Sequence, residues 1–410
     1  MQPKICSTPV AVEMLELRKL VDKLEDVGLE AARLKKRYAV LADEARGVLA
    51  STQVDSELRA KIQRALEVDS SWRGAEPLED VLDVAHRPLM APEHATLIAV
   101  DGSQIYPDRH GSALYYLINI GSIRLRQGSG QAPITDTLPE LYFTEEDLYD
   151  NEQDLVTTDG VNARRDQAEM KALARLTWEE RNHEPGRLVV AIKDGPLILW
   201  MSEREASSAD SKLKTAYIED LQAIQRAGGV PVGYVTRPRS ANVVRLLWVA
   251  GLRSEAITEE TVRKHKYRAL TDGTVFAAKL GSNQRSALFV NTSKANRGTF
   301  APAGQAICFF YLNVARPDER LSQIARIDVP QWVAVQPDLL DRVQNAVYAD
   351  CGGLGFPYVL TRADELAVVS RMEKRDLDAM LSVTTTKWTR DMPDVSPKEA
   401  EKQLTRGYLH

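Results

Sequence analysis

The sequence predicts a mixed α/β fold, one sheet flanked by helices and preceded by a helical N-terminal extension. Three observations predict it. Short apolar, β-branched runs end in Asp-Gly twice, in "TLIAVDGS" from Thr96 and in "RLVVAIKDGPL" from Arg187. Segments with a helical apolar period alternate with such runs from about residue 160 onward. From Val10 to Leu66, Leu and Val recur at three- and four-residue steps among Lys, Arg, Glu and Asp, with no proline between Pro9 and Pro77, which is the pattern of an amphipathic helix.

The elements follow in order. The N-terminal segment reads as one long helix, a helical hairpin or a coiled coil, expected to pack or to dimerise without chemistry of its own. Pro77, Pro88 and Pro92 make residues 67–93 an irregular connection, so extension and connection occupy 1–93. "TLIAV" is a buried strand. "SALYYLINIGSIRLRQ" holds two strand-like runs on either side of Gly121 and Ser122, a hairpin or a bent strand pair. "GSGQAP" is a loop. Residues 160–182 form a helix capped by Asp159 or Asn162, with Ala168, Met170, Leu173, Leu176 and Trp178 as apolar positions. "RLVVAIK" is a strand, "TAYIEDLQAIQRAGG" a helix, "VPVGYVT" a strand and "ANVVRLLWVAGL" a helix. Three antiparallel strands followed by alternating helices and strands is the order of the ribonuclease H-like fold. The last third supplies strands in "ALFVN", "AICFFYLNVA" and "RIDVPQWVAV", and helices in "PDLLDRVQNAVYADCGG" and "RADELAVVSRMEKRDLDAML". The core domain is expected over 94–382 and a polar tail over 383–410. Trp200, Trp248 and Trp332 are expected in the core.

The totals narrow the class. The 410 residues are 44% hydrophobic and 27% charged, with a net charge of −5, ordinary for a globular protein. The total shows no basic footprint of the kind that advertises nucleic-acid binding, although a local basic groove is compatible with an acidic sum. Cys6, Cys308 and Cys351 are odd in number and widely spaced, so they suggest reduced thiols in a cytoplasmic protein rather than disulfides or a zinc site. There is no apolar signal-like segment at the N-terminus, and the longest apolar runs are far too short to span a bilayer.

No phosphate-binding GxxxxGK[ST] loop, GxGxxG turn or GxSxG elbow is present, and the six histidines form no HxxxH or HxH pair. The carboxylates are left. Asp101 and Asp194 both follow apolar strands, whose ends gather where open α/β sheets place ligands. Two carboxylates there repel unless a cation lies between them. Oxygen-only ligands suit Mg²⁺ or Mn²⁺, and two ions about 3.5–4 Å apart would stabilise the attacking and leaving oxygens of a phosphodiester. The competing reading of either Asp is a turn former, since Asp-Gly is a strong hairpin signal. Glu169, on the helix between them, is a third ligand or half of a solvated pair with Arg165. Asp364, in "FPYVLTRADELAVV", is a fourth ligand or a helix cap. Gly102 would let the backbone turn beside the site, and Ser103 would contact a phosphate.

Four stretches together resemble the NurA family of DNA-repair nucleases: "AVDGS" at 99–103, "RRDQAEM" at 164–170, "KDGPL" at 193–197 and "FPYVLTRADELAVV" at 356–369. "DGTVFAAKLGSNQRS" at 272–286 and "RIDVP" at 326–330 also look like the family, so the ordered match spans about residues 95–370. The resemblance implies a ribonuclease H-like fold and a Mn²⁺-dependent nuclease, with Mg²⁺ an alternative ion, acting on DNA ends and single strands. It further implies a homodimer and a hexameric HerA-type ATPase as partner in the repair of broken DNA. Asp101, Glu169 and Asp194 match the family's metal-binding acids. Asp364 falls where archaeal members commonly carry His, which makes this site all-oxygen. Tyr234 would stack on a base and Arg237 and Arg239 would hold phosphates; Arg285 and Arg326 match basic positions of the supporting blocks. A non-catalytic DNA-end adaptor and an RNA-directed nuclease stand as alternatives.

Overall fold

A computed structural model describes residues 17–89, 94–111, 113–149, 154–200, 208–352 and 355–389. Along the chain run α1 (Val21–Ser51), α2 (Ser56–Val68), β1 (Ala75–Pro77), β2 (Ala95–Ile105), β3 (Tyr116–Arg126), β4 (Ile134–Tyr142), α3 (Glu145–Leu148), α4 (Thr158–His183), β5 (Leu188–Asp194), α5 (Ser208–Arg226), β6 (Val230–Thr236), α6 (Asn242–Ala250), α7 (Glu259–Arg263) and α8 (Asp272–Phe276). Then come β7 (Phe289–Asn291), β8 (Ile307–Asn313), β9 (Ile324–Pro330), α9 (Gln331–Ala334), α10 (Pro337–Asp350), α11 (Tyr358–Ala367) and α12 (Arg371–Thr389).

The strands form one sheet in the order β1-β7-β8-β9-β6-β5-β2-β3-β4. β2 runs parallel to β5, and β5 to β6; every other pairing is antiparallel. Counted from β2, the half-sheet β4-β3-β2-β5-β6 has the strand order and directions of a ribonuclease H-like core, which bears out the expected fold class.

Successive residues of a strand face opposite sides of the sheet. Leu97, Ala99, Val190, Ile192 and Val232 pack under Val343, Ala346 and Val347 of α10 and Val359, Leu360 and Ala363 of α11. Ile98, Val100, Val189 and Ala191 pack under Met170, Leu173 and Leu176 of α4 and Leu221 and Ile224 of α5. The extension joins a third cluster. Ala42, Ala45 and Leu49 of α1 and Leu58, Ile62 and Ala65 of α2 are buried with Val243 and Leu247 of α6 and with Phe309 and Tyr311 of β8. β1 continues the sheet beside β7, so packing is continuous across residue 93.

Several expected elements take a different form. The N-terminal helix breaks at residues 52–55, where Asp55 caps α2 by accepting from Leu58 N at 2.9 Å. The runs around Gly121 are one strand, β3, not a hairpin. The third antiparallel strand is β4, which is almost wholly exposed along its length; it is an edge strand, so no burial imposes an apolar alternation on "ITDTLPELY". α4 is capped by Thr157, whose hydroxyl accepts from Gly160 N at 3.1 Å, not by Asp159 or Asn162. The late helix is two. It stops at Ala367 and restarts behind Ser370, whose hydroxyl accepts from Glu373 N at 3.1 Å while Ser370 N donates to Glu373 Oε2 at 2.7 Å. α12 then runs on to Thr389, past the expected start of the tail at 383; residues 390–410 lie outside the described part, as does Cys6. Cys308 and Cys351 are buried free thiols. No helix among the described residues is long and apolar enough to cross a membrane.

Two glycines set the distance between helices and sheet. A Cβ at Gly121 of β3 would stand 2.5 Å from the Ala363 carbonyl oxygen and from the Ala367 amide nitrogen of α11. A Cβ at Gly102 of β2 would stand 2.7 Å from Arg165 Cγ and 2.9 Å from Glu169 Oε1 on α4. Gly121→Ala should therefore destabilise the protein by about 1–3 kcal/mol or more, because helix backbone has to move. Gly102→Ala should be milder, because it meets side-chain atoms. Denaturant melts of the two variants check the order.

Candidate active site

Asp101 is not at a strand end. β2 continues through Gly102, Ser103 and Gln104 to Ile105, and Asp101 lies opposite Gly121 of β3. The turn reading fails, because an Asp-Gly pair here fills two successive strand positions. Gly102 does not turn the chain; it leaves room for α4. Asp194 does end its strand: Gly195 follows with φ +93 and donates its N–H to Tyr234 O at 2.8 Å. Val100 pairs with Lys193 across the parallel β2–β5 ladder, and Asp101 and Asp194 are the next residues. Both therefore face α11, while Lys193 faces α4.

Asp364 lies in the last turn of α11, so it is not the helix-opening cap. Ser103 and Asn119 hold that end of the helix. The Ser103 hydroxyl donates to Ala367 O, and Asn119 Nδ2 donates to Ala367 O at 2.8 Å; the last-turn carbonyls of a helix need such partners. Ser103 is thus a helix anchor rather than a phosphate contact. The Asp364 carboxyl comes within hydrogen-bonding reach of Asp101, and its charge also acts on Asp194.

Glu169 reaches the site from α4, on the other side of the sheet. It is buried at 3% exposure. Its Oε2 is 3.0 Å from Lys193 Nζ and its Oε1 is 3.3 Å from Arg165 Nε. The pair with Arg165 exists as the helix spacing suggested, but it is buried rather than solvated. Lys193, itself 7% exposed, was not singled out in the sequence; a lysine at an inward-facing position of an apolar strand is the signal that would have found it.

Three of the acids are raised above their ordinary values. Burial, and after it repulsion by Glu169 and Asp364, pushes the Asp101 carboxyl up to about 7, against the pull of the Gly102 N–H. Asp194, exposed at the end of β5, is also raised, by partial desolvation of its carboxyl, opposed by Lys193 and the Gly195 N–H. Burial raises Glu169, with Lys193 pulling it back. Burial alone would lower the Lys193 ammonium, but the Glu169 carboxylate holds it above its ordinary value. Asp101, Asp194 and Asp364 are hard oxygen donors on one face, of the kind that suits Mg²⁺ or Mn²⁺. Among the described residues no group of three or more His, Cys, Asp or Glu side chains is arranged to hold a metal ion, so the three acids share a face without converging on one point.

The expected nucleic-acid contacts divide. Arg237, in a left-handed conformation at φ 42, and Arg239 are exposed after β6. Tyr234 is 0% exposed, and its hydroxyl donates to Gly355 O at 3.1 Å. It alternates with Val230 and Val232 on a core-facing strand side, so it packs and cannot stack on a base. Arg285 is buried, ion-paired to Glu79 at 2.9 Å. Arg326 is buried too, with its Nε 2.7 Å from Asp328 Oδ1 and its guanidinium over the Phe309 ring. Neither presents a free charge to phosphate. Trp200 is 43% exposed rather than in the core, with the Arg73 guanidinium 4.5 Å from its ring centroid; Trp248 and Trp332 are partly buried against the cores.

A profile of the NurA domain matches residues 95–369. No curated protein sequence matches the chain. Among solved structures, the chain is similar to the NurA nuclease from Sulfolobus solfataricus, at 12% identity and a TM-score of 0.49 over 90% of this chain and 98% of that one. It is also similar to the catalytic domain of human endonuclease V, at 14% identity and a TM-score of 0.29 over 80% and 98%.

Two outcomes follow from the geometry. The folded Asp101 carboxyl titrates near 7, against about 3.9 in an unfolded chain. A raised acid favours folding most below its unfolded value and loses that contribution as pH rises through the folded one. In metal-free protein, Asp101→Asn should therefore gain melting temperature relative to the parent as pH goes from about 4 to 8, and added Mn²⁺ should stabilise the parent selectively at the upper end. Thermal melts across that range check both. Tyr234→Phe should cost about 1 kcal/mol through its lost hydrogen bond, as read by denaturant melts.

Proposed function

The chain belongs to the NurA family of nucleases, and from that premise we propose that it is a divalent-metal-dependent deoxyribonuclease acting on single strands and DNA ends. The reading includes endonucleolytic and 5′–3′ exonucleolytic cleavage, service in double-strand-break repair beside a HerA-type hexameric ATPase, a homodimeric state and a cytoplasmic location. The observation that carries the reaction type is the placement of Asp101, Asp194 and Asp364 on the α11 face, where Asp364 acts on both of the others and Asp101 is driven up to about 7.

The residues that would hold Mn²⁺ or Mg²⁺ are Asp101, Asp194 and Asp364, with Glu169 from the α4 side. A divalent ion there supplies activation of water and stabilisation of the leaving oxygen. The chain supplies the rest. Burial of Glu169 and partial burial of Asp101 limit solvent screening there, while Asp194 and Asp364 face solvent. Lys193 holds Glu169 in place at 3.0 Å. Ser103 and Asn119 fix the end of α11 and so the position of Asp364.

A non-catalytic DNA-end adaptor is the second reading. It is favoured by one observation: Glu169 already has Lys193 and Arg165 as partners. Calorimetric titration with Mn²⁺ separates the two, since an adaptor has no need of the ion. A parallel assay on DNA, RNA and hybrid strands tests the substrate.

Asp101→Ala and Asp194→Ala should each remove Mn²⁺-dependent cleavage of end-labelled single-stranded DNA, by more than the about 10–100-fold typical of changes outside the ligand shell, with circular dichroism unchanged. Parental activity in either purified variant contradicts the assignment.

A further inference from the structure

A second site adjoins the acids on the other side of the strand edge. After Asp194 the chain crosses β6. A Cβ at Gly233 would stand 2.8 Å from Gly195 O and 2.9 Å from Leu197 N, and Leu197 N donates to Asp328 Oδ2 at 3.2 Å. That crossing brings Pro196 and Trp200 to a cleft of about 310 Å³, lined also by Arg73, Arg239, Arg245 and Arg326. No Asp or Glu lines it. Arg326 is neutralised by Asp328 at 2.7 Å, but no carboxylate ion-pairs with Arg73, Arg239 or Arg245 among the described residues.

The cleft is built, not incidental. Asn242 donates to Arg73 O at 2.8 Å and to Gly74 O at 3.1 Å, and accepts from Arg326 Nη1 at 2.9 Å. Arg245 Nη1 also donates to Arg73 O at 2.8 Å. The loop that carries Arg73 is therefore clamped to α6 through its backbone, leaving the guanidinium against Trp200. Burial and the nearby Arg73 charge lower Arg245, with Asp272 acting the other way, so positive charge accumulates where solvent is partly excluded. The N-terminus of α6 is not what makes the site, because Asp272 Oδ1 already accepts from Val244 N at 2.8 Å.

We propose that this cleft seats one nucleotide of a single DNA strand, its phosphate held by Arg73, Arg239 and Arg245 and its base laid against the Trp200–Arg73 pair. Three arginines converging without carboxylates match a phosphate. Flat aromatic and guanidinium surfaces accept a base of any sequence. The volume suits one nucleotide and excludes a duplex. Arg73 lies before the domain match, which begins at residue 95, so the N-terminal extension completes a substrate seat that the domain alone lacks. The proposal rests on the nucleic-acid reading above, but its test needs no cleavage.

The test is an anisotropy titration of short single-stranded oligonucleotides in EDTA, at several salt concentrations, on the full chain. Arg73→Ala and Arg239→Ala alter exposed side chains, so folding is retained and is checked by melting. Each should weaken binding about tenfold and lower the slope of log affinity against log salt by about 0.7, the value of one phosphate on a single strand. Arg33→Ala, an exposed arginine of α1 paired with Glu30, should match the parent. Loss with either a 5′-phosphorylated or a 5′-hydroxyl oligonucleotide supports the seat; a loss confined to the former assigns it to the terminal phosphate, an equal loss to an internal one. Affinity and slope in both variants within twofold of the parent would overturn it. A parent that binds but does not cut under Mn²⁺ counts against the nuclease reading alone.

Discussion

The site depends on the close approach of two helices to one strand pair. Asp101 has Gly121 beside it across the ladder and Gly102 after it in sequence. Those glycines face opposite sides of the sheet, and each leaves space that a single methyl group would fill. α11 settles on Gly121 and brings Asp364; α4 settles on Gly102 and brings Glu169. Were either helix held off by a side chain, its acid would withdraw from Asp101. The carboxylate set is thus a consequence of backbone packing before it is one of charge.

Charge then distinguishes the two sides. On the α4 face, Glu169 has Lys193 and Arg165 as neighbours, and the buried group is compensated. On the α11 face, half-buried Asp101 is repelled by Glu169 and Asp364 and attracts Arg165, while Asp194 and Asp364 are exposed. Partial burial and like charges together disfavour the ionised form of Asp101. A divalent ion on that face would relieve the repulsion, and the arginine cleft beyond Pro196 offers the complementary positive surface. Acids on one side of a strand edge and arginines on the other fit a polyanion crossing that edge.

Much of this was legible in the chain. The alternation of helices and strands from residue 160 pointed to the fold, and the ordered blocks from 99 to 369 supplied the four acids proposed for the site. What was not legible had physical reasons. β4 is an exposed edge strand and carries no apolar period. Asp101 reads as a strand end because apolar residues stop there, yet the hydrogen-bonded ladder runs four residues further to Ile105. Arg285 reads as surface because its partner Glu79 is distant in sequence. Other cues were present and passed over. Arg326 and Asp328, two apart on a strand, share a face and pair. "SRME" at 370–373 is a capping box that divides the late helix. Tyr234 continues the inward positions of Val230 and Val232. Arg73 and Trp200 lie too far apart in sequence for any local pattern to join them.

The most direct measurement is anomalous diffraction from crystals grown with Mn²⁺. The account requires a manganese peak on the α11 face of the sheet, ligated by carboxylate oxygens of Asp101, Asp194 and Asp364, with Glu169 either joining the ligands or bridged to them through water. A crystal saturated with Mn²⁺ in which these acids bind no ion, or in which the ion is held elsewhere, would contradict it.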